Sequence, residues 1–112
     1  QKAITPLPGV VLMRTIPIQQ SPNQAITVTL DGNRWSLTIK TANDTMCVDV
    51  DLNDTPILRG QRAVAGMPVI PYRRLAAGQG NFMFVTERDE NPWWERFTVD
   101  QSLHYVTAED LV

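Results

Sequence analysis

The alternation of apolar and polar residues in the first third of the chain predicts a β-hairpin. Its apolar positions lie two residues apart on either side of a short turn: Ile26, Val28 and Leu30 before it, and Trp35, Leu37 and Ile39 after it. A period of two residues is typical of strands with one buried face. A two-residue loop at Gly32-Asn33 aligns all three apolar pairs, with Leu30 opposite Trp35, and gives Gly32 the positive φ of a type II′ turn. We therefore prefer this register to a loop at Asp31-Gly32.

A third strand and a more irregular extended region follow the hairpin. The third strand is predicted from apolar residues that would face the same core, namely Met46, Val48, Val50 and Leu52. Residues 52–56 have the composition of a turn, and glycine and proline interrupt the short apolar pieces over residues 57–70, which indicates irregular extended chain. Residues 81–86 are apolar without alternation, and this pattern predicts a strand that is central or bridges two layers.

The last third of the chain predicts a second hairpin, in which residues 93–99 and 103–106 pair across a turn at residues 100–102. Eight prolines at breaks, short strands and the absence of a helical period predict an all-β fold. We expect a small single-domain barrel or sandwich of short, mostly antiparallel strands. Because Met13 opens a plausible start, we assign residues 13–112 to this domain. Residues 1–12 are an N-terminal extension, either an upstream segment or a remnant of cloning.

Composition excludes several classes of function. The chain has 112 residues, a formal net charge of -2 and a pI near 5.2, so no overall positive field favours nucleic acid or anionic lipid. No apolar run approaches the roughly 20 residues that span a bilayer. The single cysteine, Cys47, cannot form an internal disulfide, which favours a reducing compartment or a particle assembled in one. The triplets beginning at Asn43 and Asn53 match the N-glycosylation pattern, but both are typical of turns.

The sequence contains no established catalytic or metal-binding motif. One histidine and one cysteine cannot supply a four-coordinate zinc site. Asp49, Asp51 and Asp54 suggest a loop for a hard cation, but Asp54 stands where an EF-hand requires glycine, so a solvated strand face is the better interpretation. One alternative hypothesis, a hydrolase or isomerase, would pair His104 with Asp49 or Asp51. We expect no catalytic residues, no cofactor and no metal.

Charged residues form two separate groups of opposite sign. The basic group contains Arg59, Arg62, Arg73 and Arg74, and the acidic group contains Glu87, Asp89 and Glu90. Such separation suits self-complementary assembly. A second alternative is a small β-barrel that binds nucleic acid or another ligand, in which the arginines would converge on one groove. Exposed aromatic side chains would then join them, from the set Trp35, Tyr72, Phe84 and Tyr105. The acidic pI and the strand positions of these aromatic residues count against that alternative.

Two adjacent tryptophans, Trp93 and Trp94, follow the acidic group. Neighbouring residues of a strand point to opposite faces, so the core would accept one indole and the other would lie on the opposite side. An exposed tryptophan is a candidate hot spot for protein contacts. The alternative, in which loops cover both indoles, agrees equally well with the sequence.

Four stretches of the chain resemble the small baseplate plug-type proteins of contractile-tailed phages and prophages, a family named after a cyanophage baseplate plug. They are MRTIPIQQSPNQAITVTLDGNRWSLTIKTAND near the start, ILRGQRAVAGMPVIPYRRL with GQGNFMFVT in the middle, and LHYVTAEDL at the end. The resemblance covers residues 13–111 and implies an all-β domain. These motifs are dictated by the fold, and no catalytic residue is carried over from the family.

The resemblance also implies a function, that of a non-enzymatic structural component that plugs or connects the hub and tail-tube region. Its expected partners are other tail and baseplate proteins, and a homo-oligomer is compatible with the split charges; neither nucleic acid nor a membrane is expected. It implies a location in the tail baseplate of the virion, after assembly in the host cytoplasm. From their chemistry and loop positions, we expect the contacts to come from Trp94, Arg73, Arg74 and Glu90.

Overall fold

Seven strands and one short 3-10 helix make up the regular structure of the described residues. The computed structural model describes residues 14–71 and 80–107. The strands are β1 (Arg14–Ile16), β2 (Asn23–Leu30), β3 (Asn33–Ala42), β4 (Thr45–Leu52), β5 (Thr55–Arg62), β6 (Asn81–Thr86) and β7 (Gln101–Val106). The 3-10 helix, Trp94–Arg96, lies in the loop between β6 and β7.

The strands form two antiparallel sheets that pack face to face. The first sheet is a meander in the order β2-β3-β4-β5, and the second has the order β1-β7-β6. Their inner faces share one core, in which the ring of Trp35 of β3 lies 5.2 Å from that of Phe82 of β6 and 6.3 Å from that of Tyr105 of β7. The predicted all-β fold is therefore confirmed, as an open sandwich rather than a closed barrel.

The turn between β2 and β3 differs from the predicted one. Leu30 pairs with Asn33, so the loop is Asp31-Gly32 and the predicted Gly32-Asn33 register is wrong. Asp31 and Gly32 have φ angles of 51° and 80°, and a type I′ turn requires positive φ at both of its central positions. The two registers differ by two residues and leave every side chain on the same face. The apolar pattern alone therefore could not distinguish them.

Left-handed residues also close the other two hairpins of the four-stranded sheet. The central pairs Asn43-Asp44 and Asn53-Asp54 all have positive φ, between 48° and 68°. Asparagine and aspartate adopt this conformation more readily than other residues that carry a Cβ. Between these turns runs β4, which buries its apolar face as predicted, with Met46, Val48, Val50 and Leu52 in the core.

β5 is a continuous strand where the sequence predicted irregular extended chain. It pairs with β4 from Thr55 to Arg62, although the register shifts twice along the way. Pro56 and Gly60, which suggested interruptions, lie within it, and Gly60 has a φ of 65°. An outer strand tolerates both residues because it pairs on one side only and accepts a bulge.

β6 ends the three-stranded sheet, but chain also lies along its outer edge. The backbone N–H groups of Gly66 and Val69 donate to the carbonyl oxygens of Phe84 and Phe82 at 3.0 and 2.7 Å. β6 is therefore flanked on both sides, which agrees with the prediction that residues 81–86 are central. The flanking segment is irregular, and it is not one of the strands.

The predicted second hairpin is wrong. β7 pairs with β6 on one side and with β1 on the other, and residues 93–99 form the 3-10 helix and turns instead of a strand. Phe97 is fully buried and stacks on Phe84 with ring centroids 5.8 Å apart. Thr98 has a φ of 67°, which interrupts an extended backbone. The apolar residues of this segment therefore pack against the sandwich as a compact loop.

A polar cluster connects the two sheets at the β2–β3 turn. Asp31 accepts hydrogen bonds from Arg14 of β1 at 2.7 Å and from the Tyr105 hydroxyl of β7 at 3.0 Å. The Arg14 guanidinium also lies 5.3 Å from the centre of the Tyr105 ring, within the range of a cation–π contact. Burial, followed by the hydrogen bond to Asp31, raises the pKa of Tyr105 to about 12. The hydrogen bonds from Arg14 and Tyr105 lower the pKa of Asp31.

Replacing Gly32 by alanine tests the type I′ turn. A Cβ at this position would have no atom within 4 Å, so the expected loss of about 1 kcal/mol in unfolding free energy comes from the left-handed backbone alone. We expect Gly32→Asn to lose less, since asparagine adopts this conformation more readily. Urea unfolding measures both values. Equal stability of Gly32→Ala and the parent protein would contradict the turn assignment.

Tyr105 predicts a loss of stability at alkaline pH. The unfolded chain releases this proton near pH 10.0, whereas the folded protein retains it up to about pH 12. The contribution to stability is therefore complete below pH 10.0 and disappears as the pH rises through about 12. Unfolding free energies measured across this window should fall further in the parent protein than in Tyr105→Phe. An identical decline in the two proteins would show that Tyr105 is not responsible.

Candidate assembly surface

The loop of residues 87–100, between β6 and β7, carries two of the four predicted contact residues. Glu90 is exposed there, beside the exposed Glu87 and Asp89. Trp94 begins the 3-10 helix and is half-buried. The structure therefore brings the predicted acidic group and Trp94 into one surface loop, which we call the acidic loop.

Asp100 holds the two ends of the acidic loop together. Its carboxylate, of which 13% is exposed, accepts hydrogen bonds from Nε of Arg96 at 3.0 Å and from Nη2 of the same side chain. It also lies 3.6 Å from Nε of Arg88. The hydrogen bonds from Arg96, followed by the charges of Arg96 and Arg88, lower the pKa of Asp100. The Asp100 carbonyl accepts the backbone N–H of Glu87 at 3.0 Å, which closes the loop.

The middle of the acidic loop is anchored to β7 and to the chain before β2. The buried Gln101 accepts the backbone N–H of Trp93 at 2.8 Å and donates to the carbonyl of Asn91 at 3.4 Å. The Glu95 carboxylate accepts the Trp93 indole N–H at 3.0 Å, and the Glu95 carbonyl accepts a hydrogen bond from Gln20 at 2.6 Å. These contacts attach the loop to β7 and to the chain before β2, although it contains little regular structure.

Trp93 and Trp94 do not lie on opposite faces of a strand. Their rings are 6.5 Å apart at 45° to each other, and both are half-buried against the core. The prediction that the core takes one indole and the other lies on the opposite side is therefore wrong, because the chain turns into the 3-10 helix at Trp94. An exposed apolar side chain in the same loop is Val99, which is 59% exposed, and the sequence analysis did not single it out.

A surface pocket of about 180 Å³ borders the acidic loop on its Trp93 side. Asp44, Thr45, Met46, Arg62, Ala63, Asn91, Pro92 and Trp93 line it, so the β3–β4 turn, the end of β5 and the loop all contribute. The sequence analysis did not predict this pocket, since its residues come from three separate stretches of the chain.

A family model described as "Cyanophage baseplate Pam3 plug gp18" matches residues 13–109. The chain belongs to this baseplate plug family. No curated protein matches the chain. The family match confirms the resemblance found in the sequence and assigns the protein a structural role in the baseplate of a phage tail. Residues 1–12 lie outside both the match and the described residues, so the division of the chain at Met13 stays a prediction.

The basic group predicted for this plug-family member is only partly described. Arg59 pairs with Asp51 at 2.6 Å, and Arg62 borders the pocket. Arg73 and Arg74 lie outside the described residues, so their role as contact residues stays a prediction. The predicted convergence of all four arginines on one groove is likewise untested.

The described residues of the plug-family member contain neither a metal-binding cluster nor a membrane-spanning helix. The three aspartates considered for a cation loop each form an ion pair, Asp49 with Lys40, Asp51 with Arg59 and Asp54 with Arg34. Across residues 14–71 and 80–107, no group of three or more His, Cys, Asp or Glu side chains is placed to hold a metal ion. In the same ranges, no helix has the length and apolarity needed to cross a bilayer.

His104 lies on β7 between two hydroxyl groups. Its Nε2 is 2.7 Å from Oγ of Ser102, and its Nδ1 is 3.5 Å from Oγ1 of Thr15. Asp49 and Asp51, the carboxylates suggested as its partners, lie on β4 of the other sheet and pair with Lys40 and Arg59. The structure therefore does not bring together the residues that the hydrolase or isomerase hypothesis requires.

Asp100→Asn should loosen the acidic loop of the plug-family member. The amide keeps the size of the side chain but loses the charge that Arg96 and Arg88 neutralise. We expect faster amide hydrogen exchange at residues 87–100, with β3 and β4 unchanged. Asp54→Asn is the matched control, because it breaks the exposed ion pair with Arg34, outside the loop. If both variants exchange as the parent protein does, Asp100 does not hold the loop.

Proposed function

We propose that this protein is a non-enzymatic structural component of a contractile phage or prophage tail baseplate. It plugs or connects the hub and tail-tube region through protein–protein contacts, and it is assembled there from the host cytoplasm. The observation that carries the proposal is the family match over residues 13–109. The expected partners are the hub and tail-tube proteins.

The acidic loop supports this proposal because its side chains are already held in place. Asp100 and Gln101 bind it at several points, so a partner that docks there meets a pre-organised surface and orders few additional residues. Glu90 would supply charge, and the half-buried Trp94 would supply apolar contact area. We retain Arg73 and Arg74 as proposed contact residues.

The alternative of a barrel that binds nucleic acid has less support. Six basic side chains are already ion-paired, namely Arg14, Arg34, Lys40, Arg59, Arg88 and Arg96. Within residues 14–71 and 80–107, Arg62 is the basic side chain that lacks an ion pair. Trp35, Phe84 and Tyr105, three of the aromatic residues considered for base stacking, are at most 2% exposed. Few groups therefore remain to bind phosphates or bases.

The copy number of the protein in intact particles tests the proposed role directly. Tailed particles are purified from the induced source culture, and quantitative mass spectrometry compares this chain with the tail-tube and baseplate proteins. A fixed, low copy number in every preparation is the expected result. Absence of the chain from intact particles, together with salt-sensitive binding of the purified protein to oligonucleotides, would favour the nucleic-acid-binding alternative.

Glu90→Lys tests the contribution of the acidic loop to assembly. It reverses one charge at an exposed position, so we expect at least about a tenfold loss of incorporation into particles without a change in folding. Thr38→Lys is the matched control, because it places the same side chain on an exposed position of β3. Circular dichroism checks the fold of both variants. Normal incorporation of Glu90→Lys would exclude Glu90 as a contact residue.

A further inference from the structure

The two outer strands of the four-stranded sheet differ in how their edges are protected. β5 contains Pro56, the left-handed Gly60 and two shifts of register, and it carries Arg59 and Arg62. Proline, bulges and charges on an outer strand all discourage pairing with another chain. β2 contains none of these features: its eight residues, NQAITVTL, pair with β3 without a shift.

The absence of charge extends beyond β2 itself. No Asp, Glu, Lys or Arg occurs between Arg14 and Asp31. The exposed face of β2 carries only Ala25 and hydroxyl or amide side chains, among them Thr27 and Thr29. An incoming strand would therefore meet neither a charge that repels it nor a proline that interrupts its hydrogen bonds.

Hydrogen bonds around Arg34 show which backbone groups of β2 point away from β3. The Arg34 carbonyl accepts the N–H of Asn53 at 2.8 Å, and the Arg34 N–H donates to the Asn53 side chain at 2.9 Å. Both groups face the β4 side, so Thr29, which lies opposite Arg34, forms a pair without backbone hydrogen bonds. In antiparallel strands such pairs alternate with bonded ones. The N–H and C=O groups of Thr29, Thr27 and Ala25 consequently point to the open edge.

The ends of this open edge are defined by local contacts. The Ser21 hydroxyl lies 2.8 Å from the carbonyl oxygen of Asn23 and donates to it, which occupies the outward-facing carbonyl at the start of β2. The turn at Asp31 ends the strand on the other side. Five residues, 25–29, remain open, and Thr27 is at their centre. Within residues 14–71 and 80–107, no backbone group is bonded to them from outside.

The inner face of β2 is covered less well than those of its neighbours. Ile26, Val28 and Leu30 are half-buried, whereas the inward-facing residues of β3 are at most 1% exposed, namely Trp35, Leu37 and Ile39. A strand added beside β2 would place further apolar side chains along this row and remove more of it from water.

We propose that the open edge of β2 pairs with β2 of a second copy of this chain, antiparallel and about a two-fold axis at Thr27. Each copy then bonds through Ala25, Thr27 and Thr29, and the two four-stranded sheets become one sheet of eight strands. This interaction is independent of the role proposed in the tail, because it concerns the protein alone in solution.

A second copy of the chain fits because its β2 has the properties that a strand pairing with this edge needs. The incoming segment must be extended, uncharged and alternately apolar, and residues 25–29 have all three properties. In the two-fold arrangement Ile26 of one copy lies opposite Val28 of the other, and Ala25 lies opposite Thr29. Thr27 of one copy lies opposite Thr27 of the other at the axis, and two threonines form a favourable cross-strand pair. No like charges face each other, so charge repulsion does not oppose self-association.

Sedimentation analysis over about a hundredfold range of concentration tests the proposal. We expect a monomer–dimer equilibrium in the parent protein. Thr27→Lys places two positive charges opposite each other at the axis and should weaken dimerisation at least about tenfold. Thr38→Lys, on the exposed face of β3 and one strand inward from the edge, should leave it unchanged. A monomer at every concentration, or equal dissociation constants for all three proteins, would overturn the proposal.

Cross-linking tests the register in the same assay. Bonded antiparallel pairs have Cα atoms about 5.5 Å apart, which is within the range of a disulfide. In a Cys47→Ser background, which removes the natural thiol, Thr27→Cys should form a covalent dimer on oxidation and Thr38→Cys should not. Failure of Thr27→Cys to cross-link at concentrations where the dimer forms would overturn the two-fold register.

Discussion

The packing of Trp35 against two aromatic rings of the opposite sheet determines how the halves of this protein meet. Its indole is completely buried and stands at 81° to the ring of Phe82, an edge-to-face arrangement that aromatic rings favour. The indole N–H has no hydrogen-bond partner within the described residues, which costs about 1–3 kcal/mol. That this side chain occupies the core nevertheless indicates that the apolar contacts outweigh the cost. Tyr105, the second aromatic neighbour of Trp35, donates a hydrogen bond from its hydroxyl to Asp31 in the β2–β3 turn.

The sheets and the acidic loop differ in regularity and in what they expose. The sheets are regular and bury their apolar faces, whereas Glu90 and Trp94, two of the proposed contact residues, lie in the acidic loop. Buried Gln101 binds that loop to β7, and Asp100 pairs with Arg88 and Arg96 within the loop, so an irregular segment is attached to the sandwich at defined points. Loops held in this way present binding side chains without a large entropic loss on association. A structural role in a particle requires such a surface and does not require a reactive group.

Much of the fold could be predicted from the sequence, because strands with one buried face alternate visibly. The apolar face of β4 is an example. The register between β2 and β3 could not be predicted, since shifting it by two residues keeps Val28 and Leu30 on the same face. The turn conformation at Asp31 determines which of the two registers forms. Residues 93–99 resembled a strand by composition, but the burial of Phe97 and the anchoring by Gln101 depend on distant parts of the chain. The pocket beside Trp93 could not be predicted for the same reason. The role of Arg73 and Arg74 as contact residues stays a prediction.

The bulged, proline-containing outer strand has a consequence for the size of any assembly built through the sheets. A sheet with two equally receptive edges adds copies at both ends and grows into a filament. Here the Pro56 and Gly60 side of the four-stranded sheet resists addition, so pairing through this sheet uses only its β2 edge. Growth then terminates after one step. The asymmetry of the two edges therefore limits the stoichiometry of any pairing through this sheet to two copies.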